Sequence, residues 1–280
     1  MEFDTTKLKV VQIELLKNFI QICNKYDLQY YMAGGSCLGA VRHKGFIPWD
    51  DDIDVLMPRS DYDTFMDIAQ KELPKNLFLQ TFKTDPDYCM CYAKIRNSDT
   101  TFIETPWKNI NINHGVYIDI FPLDGFTENK FKQKMFFAAK AAYQYRISKV
   151  FYLPDQHPES KSLFKKVLKK LIMSACKDLH HTVCKCDRLF RKYGIQNSEL
   201  VASHNGAWAQ KEIMPKSYFG KGTKGIFEDI QVILPEKYDA YLTALYGDYM
   251  TPPPLEKQIS HHYCEVIDTE RAYTYYRNDI

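Results

Sequence analysis

The chain has 280 residues, 45% hydrophobic and 26% charged, with a formal net charge of +2 at neutral pH. This composition suits a folded protein with a sizeable core, as one large domain or a domain with a subdomain, and excludes a disordered or low-complexity chain. No apolar stretch approaches the roughly eighteen residues that a membrane-spanning helix needs, and Met1-Glu2-Phe3-Asp4 lacks the basic and apolar regions of a secretory signal. Eight cysteines scattered through a chain of this size read as free thiols in a reducing compartment, so a cytoplasmic location is expected.

Residues 5–26 read as an amphipathic helix, capped by Thr5 or Thr6, with Leu8, Val11, Leu15, Phe19, Ile22 and Cys23 on one stripe. A short strand at 29–33 runs into a turn at Gly34-Gly35-Ser36, and residues 37–43 open a helix. Ile47-Pro48 breaks the chain before a strand that begins at Asp52, and Ser60 with Asp63 caps the next helix. Aromatic and β-branched content predicts strands at 77–83, 92–96, 100–104 and 115–122. The character then changes. Residues 130–192 hold sixteen Lys or Arg against four Asp or Glu, a local net of +12 that leaves the remainder at about −10. Residues 129–193 read as helical, and such a basic middle suits an anionic partner surface. A last strand at 226–234, a helix from Pro235 to Tyr246, an extended Thr251-Pro252-Pro253-Pro254 and a tyrosine-rich tail close the chain. The expected fold class is α/β (or α+β): a mixed β-sheet flanked by helices. Residues 1–128 form its core, 129–198 a basic helical subdomain, and 199–280 complete the core.

Four carboxylates, Asp50, Asp51, Asp52 and Asp54, crowd together just before the apolar run Val55-Leu56-Met57. In a strand, residues two apart share a face, so Asp52 and Asp54 aim at one point. Two carboxylates held so close invite a divalent cation, and Mg²⁺ commonly uses one or two carboxylates together with substrate phosphate oxygens. The glycine turn before them offers backbone N–H groups and the Ser36 hydroxyl to a phosphate. A third carboxylate, Asp119, sits between Ile118 and Ile120. An inward carboxylate costs several kcal/mol unless compensated. Asp119 is therefore either a metal ligand or base, or the partner of a Lys or Arg in the core. Asp50 and Asp51 rank lower, as turn caps, and Trp49 either packs beneath the carboxylates or stacks on a base. Metal-assisted phosphoryl chemistry is the reading these residues give.

The order of these elements resembles the nucleotidyltransferase pattern. Gly34-Gly35-Ser36-Cys37-Leu38-Gly39-Ala40-Val41-Arg42 followed by Pro48-Trp49-Asp50-Asp51-Asp52-Ile53-Asp54 resembles, more narrowly, the LicD family, which includes bacterial phosphocholine transferases and is related to the fukutin-type proteins. The resemblance continues through 94–100, 119–125 and Tyr246-Gly247-Asp248-Tyr249-Met250, and spans roughly residues 30–262. It implies a nucleotidyltransferase-like fold and a metal-dependent transferase, with Mg²⁺ (or Mn²⁺) as cofactor. The donor it implies is a CDP-activated alcohol, most often CDP-choline, and the acceptor is a hydroxyl of a cell-surface glycan or teichoic-acid-type precursor. CMP leaves. Asp52 and Asp54 would then be metal ligands, and Asp119 a third ligand or the base. Gly34, Gly35 and Ser36 would hold phosphate oxygens, with Arg42, Lys94 and Arg96 as candidates to neutralise the diphosphate. His261 and His262 stand where the family tends to place a histidine, able to touch phosphate or relay a proton; the alternative is a surface pair.

Other signals are weaker. His180, His181, Cys184 and Cys186 match no standard zinc spacing. Residues 161–172 form a basic amphipathic pattern, either a helix on the inner, anionic membrane surface or one packed on the core with solvated lysines. No nucleic-acid-binding module is recognisable. Rival functions are a glycosyltransferase that holds a nucleotide-sugar through Asp-x-Asp, and a noncatalytic membrane-surface scaffold.

Overall fold

The computed structural model describes residues 5–151, 178–259 and 263–276. The amphipathic stripe at the start becomes α1 (Thr5–Lys25), which buries Leu8, Leu15, Leu16, Phe19, Ile22 and Cys23. Gln12 is buried on the same face, and its amide donates to the Asp51 carbonyl at 2.7 Å. A polar residue inside an apolar stripe thus tethers the acidic loop to the core.

The glycine turn and the helix after it are one element. Strand β1 is only Tyr31–Met32, and α2 (Gly34–Arg42) starts at the glycines themselves. Strand β2 (Asp54–Pro58) leads directly into α3 (Arg59–Glu72). Strands β3 (Leu77–Gln80), β4 (Ala93–Asn97) and β5 (Thr101–Glu104) match three of the expected strands within a few residues. Strand β6 (Val116–Phe126) runs further than its sequence pattern reaches, because its second half finds a new partner, β7 (Leu200–Ala202). Helices α4 (Lys130–Phe151) and α5 (Leu179–Phe190) pack on each other, and β8 (Ile213–Pro215) pairs with β7.

The central sheet has the order β1-β2-β6-β4-β3, extended through β7 and β8 at the far half of β6. Only β2 and β6 are parallel within it; the other pairs are antiparallel, so the sheet is mixed. The expected strand at 226–234 is a hairpin, β9 (Thr223–Phe227) and β10 (Ile230–Leu234), reversed through Glu228 and Asp229. Glu228 takes a positive φ of 53° there, and its carboxylate accepts the Phe46 N–H, which braces the loop before the acidic run. Helix α6 (Tyr238–Tyr246) follows, and β11 (Cys264–Asp268) pairs with β5.

The main core gathers α1, the sheet and α6. A second one, around Phe126, Phe136, Val183 and Phe190, joins α4 and α5 to the end of β6. Between them Asp124, 1% exposed, makes a two-pronged pair with Arg59 at 2.7 Å on both prongs, a structural use of the second Asp in the 119–125 motif. Among the described residues no helix is long and apolar enough to cross a membrane. The seven cysteines there are all free thiols. The basic pattern at 161–172, and His261 and His262, lie outside the described residues.

Candidate active site

The site is built where β2 starts. Ile53 is fully buried, and its carbonyl accepts the Asp119 N–H at 2.8 Å, so the chain is already extended before the first strand residue. Side chains alternate across it, which turns Asp52 and Asp54 to one side, half-buried, while Ile53 enters the core. The parallel register then sets Asp54 opposite Asp119 on β6. The three carboxylates that the sequence singled out line a common cavity of about 260 Å³.

Two glycines allow the chain to approach them. Gly34 has φ +48°, a left-handed value that disfavours a side chain, and a Cβ there would lie 3.5 Å from Asp54 Oδ2. At Gly35 a Cβ would come within 2.6 Å of Asp50 Oδ2, so a fourth carboxylate closes on the same turn. Ser36 is 3% exposed, and its hydroxyl accepts the Asp54 N–H at 2.9 Å. It fixes Asp54 in place, and Gly34 and Gly35 are the residues of the turn that face the cavity. The Gly34 N–H donates to the Tyr241 hydroxyl at 2.9 Å.

Burial, then repulsion from Asp52, Asp119 and Asp50, pushes the Asp54 carboxyl above the usual carboxylate range, against the pull of Lys94. Lys94 is itself buried, with Nζ 2.7 Å from Asp119 Oδ1 and 3.3 Å from the centre of the Tyr117 ring. It neutralises a protein carboxylate, the core pairing that stood as the alternative for Asp119. Arg96 stands further along β4, opposite Tyr117 as Lys94 is opposite Asp119. Its guanidinium donates to Gln80 Oε1 at 2.6 Å and to the Gly115 carbonyl at 2.7 Å, 1% exposed and outside the cavity lining. Neither cation lines the smaller cavity or the cleft beside it. Arg42 is placed differently: half-buried at the end of α2, it donates to the Tyr249 carbonyl and lines a second, larger cleft of about 780 Å³.

The two spaces share an edge made of Gly35, Asp52, Asp54, Ala207, Trp208 and Tyr246. The smaller adds Asp119, Tyr92 and Glu212. The larger adds Trp49, Asp50, Asp248, Tyr249, Glu256 and Lys257, with Leu38 and Ile47 as apolar lining. Trp208 and Tyr246 meet edge to face, ring centres 5.1 Å apart. Sequence reasoning missed Tyr92, Trp208 and Glu212. Nothing around Trp208 and Glu212 carries a pattern, whereas Tyr246, Asp248 and Tyr249 lay in a motif already singled out. Burial pushes Glu212 up to about 7, against the Trp208 N–H and the charge of Lys140. Among the described residues, no three His, Cys, Asp or Glu side chains close into a ready cage for a metal ion, the His180–Cys186 stretch included.

Comparison with known proteins is consistent with this geometry. Residues 27–162 match the family model described as LicD/FKTN/FKRP, nucleotidyltransferase domain. The chain belongs to the LicD family. It is 31% identical over 261 residues to the lipopolysaccharide cholinephosphotransferase LicD of Haemophilus influenzae, covering 91% of this chain and 94% of that protein. Shorter matches are to uncharacterized proteins of Rickettsia typhi, 38% identical over 55 residues (20% of this chain and 18% of that protein), and of Rickettsia prowazekii, 43% identical over 42 residues (15% and 16%).

Proposed function

We propose that this protein transfers a phospho-alcohol group, phosphocholine above all, from a CDP-activated donor to a hydroxyl of a cell-surface glycan precursor, with release of CMP. One observation carries the reading: Asp52 and Asp54 stand on the edge between two cavities, so a donor in one and an acceptor in the other meet at the carboxylates. An in-line displacement at phosphorus needs this, with attacking and leaving oxygens on opposite sides. The likeness to a lipopolysaccharide cholinephosphotransferase over nearly the whole chain supports the phosphocholine group and the acceptor class.

The larger cleft suits the donor. Arg42 and Lys257 are placed to meet phosphate charge, and Gly35 lies in the first turn of α2, where amide N–H groups favour phosphate oxygens. Trp49, Trp208 and Tyr246 with Asp248 and Glu256 offer aromatic faces and negative charge, the combination that attracts a quaternary ammonium. The carboxylates also fit a hard divalent ion. Burial and then repulsion from Asp52, Asp119 and Asp50 raise the Asp54 carboxyl, and Mg²⁺ binds through one or two carboxylates while substrate phosphates and waters complete its shell. Asp52 and Asp54 would hold it, with Asp119 behind them tied to Lys94. Bound there, Mg²⁺ or Mn²⁺ supplies neutralisation of phosphate charge.

The test is Asp54→Asn. CMP release from CDP-choline should fall by roughly 10²-fold or more, as for removal of a main electrostatic contact to the reacting group, while far-ultraviolet circular dichroism is unchanged. Stability without substrate should rise, since like-charge repulsion is relieved. Release of nucleotide from UDP-sugars and none from CDP-alcohols would replace this function with glycosyl transfer. Full CMP release by the variant would remove Asp54 from the catalytic machinery, and no nucleotide release by the wild-type protein from any donor would favour a scaffold.

A further inference from the structure

The smaller cavity holds a carboxylate that the donor chemistry does not use. Glu212 is 8% exposed and lines it together with Asp52, Asp54 and Asp119. The chain shapes a seat for it. Its Oε1 accepts the Trp208 N–H at 3.4 Å, and a Cβ on Gly206 would fall 2.2 Å from that oxygen, so the backbone closes on the carboxylate at a position without a side chain. Among the described residues Glu212 has no ion-pair partner within 4 Å.

We propose that Glu212 is the general base that takes the proton from the attacking acceptor hydroxyl. The inference rests on the phosphoryl-transfer reading and deepens it. The acceptor oxygen forms its bond to the distal phosphorus of the donor as its proton passes to Glu212 Oε2. The bond between that phosphorus and the bridging oxygen breaks, and its electron pair leaves with CMP. Glu212 returns the proton to solvent. Each of the other carboxylates is engaged elsewhere. Asp119 is already paired with Lys94, Nζ lying 2.7 Å from Oδ1. Asp52 and Asp54 stand on the edge shared with the donor cleft, whereas Glu212 belongs to the smaller cavity alone.

The surroundings also suit the task. Burial brings Glu212 up to about 7, near the pH at which a base both stays deprotonated and binds a proton well. The groups that act on it are Lys140 of α4, Tyr241 and Tyr246 of α6 and the Trp208 N–H of its own loop, and Asp52, Asp54 and Asp119 line the same cavity. Asp54 is shifted in the same direction, so the variant, not the profile alone, assigns the proton.

The experiment compares wild type, Glu212→Gln and Glu212→Asp. CMP release from CDP-choline is followed with purified lipopolysaccharide as acceptor, and CDP-choline binding by calorimetry. Glu212→Gln should lower kcat by roughly 10²- to 10⁴-fold, the usual worth of a general base, leave donor Kd within about twofold, and remove the fall in kcat on acidification through about pH 7. Glu212→Asp should keep that acid limb and recover part of the rate, which also serves if the Gln variant folds poorly. A Gln variant within about threefold of wild-type kcat, or one that keeps the acid limb, overturns the assignment while the transfer reading stands. A wild-type protein that neither binds nor turns over CDP-choline overturns both.

Discussion

Replacing Lys94 with Met tests the electrostatics of the carboxylate site without touching the side chains that face substrate. Lys94 and Asp119 lie 2.7 Å apart with side chains 3% and 9% exposed. An exposed pair would be worth only about 0–1 kcal/mol. Here, loss of one partner strands a buried charge, and the cost belongs to the class of about 3–5 kcal/mol. The ammonium also lies over the Tyr117 ring, an attraction the thioether of Met keeps only in part. At roughly 2–4 °C per kcal/mol for a chain of this order of size, Tm should fall by roughly 6–20 °C. Urea denaturation in chelator, with Asp119→Asn and the double variant, completes a cycle. The double variant sets a thioether beside an amide and leaves no charge behind, so it should regain most of the loss. A cost under about 1 kcal/mol, or a double variant no more stable than Lys94→Met, would show that the pair is solvated or otherwise compensated. Either result would remove the Lys94–Asp119 pair as a structural anchor of the site.

Two further outcomes follow from the same geometry. Gly35→Ala puts a methyl 2.6 Å from Asp50 Oδ2, and since the far end of a side chain can yield, stability should change by under about 1 kcal/mol while the displaced carboxylate costs turnover about 10²-fold; parallel denaturation and CMP-release assays separate the two. Glu212 titrates near 7 when folded, above its ordinary value of 4.5, so it binds protons more tightly in the native state and its contribution to stability is lost as pH rises through 7. Between pH 5.5 and 8.5 the folded protein should lose about 2 kcal/mol from this group, read by urea denaturation at both values, and Glu212→Gln should flatten most of that slope.

Much of the site was legible in the chain because strand periodicity is local. Asp52 and Asp54 flank an apolar residue, and once the chain extends, alternation alone sends the acids one way and Ile53 the other. Helix α1 follows from its apolar spacing, and the glycines before β2 from the need for backbone beside carboxylates. The mixed α/β class and the family were readable for the same reason: motifs are runs of neighbours.

Register and long-range pairing were not readable in this way. Lys94 and Arg96 look alike two residues apart on one strand, yet only the β4–β6 pairing places one against Asp119 and seals the other against Gln80 and Gly115. The Ser36 hydroxyl accepts the Asp54 amide, a contact that no local pattern of the chain shows. Trp208 and Glu212 come from a stretch with no periodicity, and they reach the cavity because β7 and β8 attach to the far half of β6. Local pattern alone sets which acids share a face and that a glycine turn stands before them. Which cation meets which acid, and which distant residues join the aspartates around the cavity, depends on strand order and register, because those contacts join residues distant in the chain that no local pattern encodes.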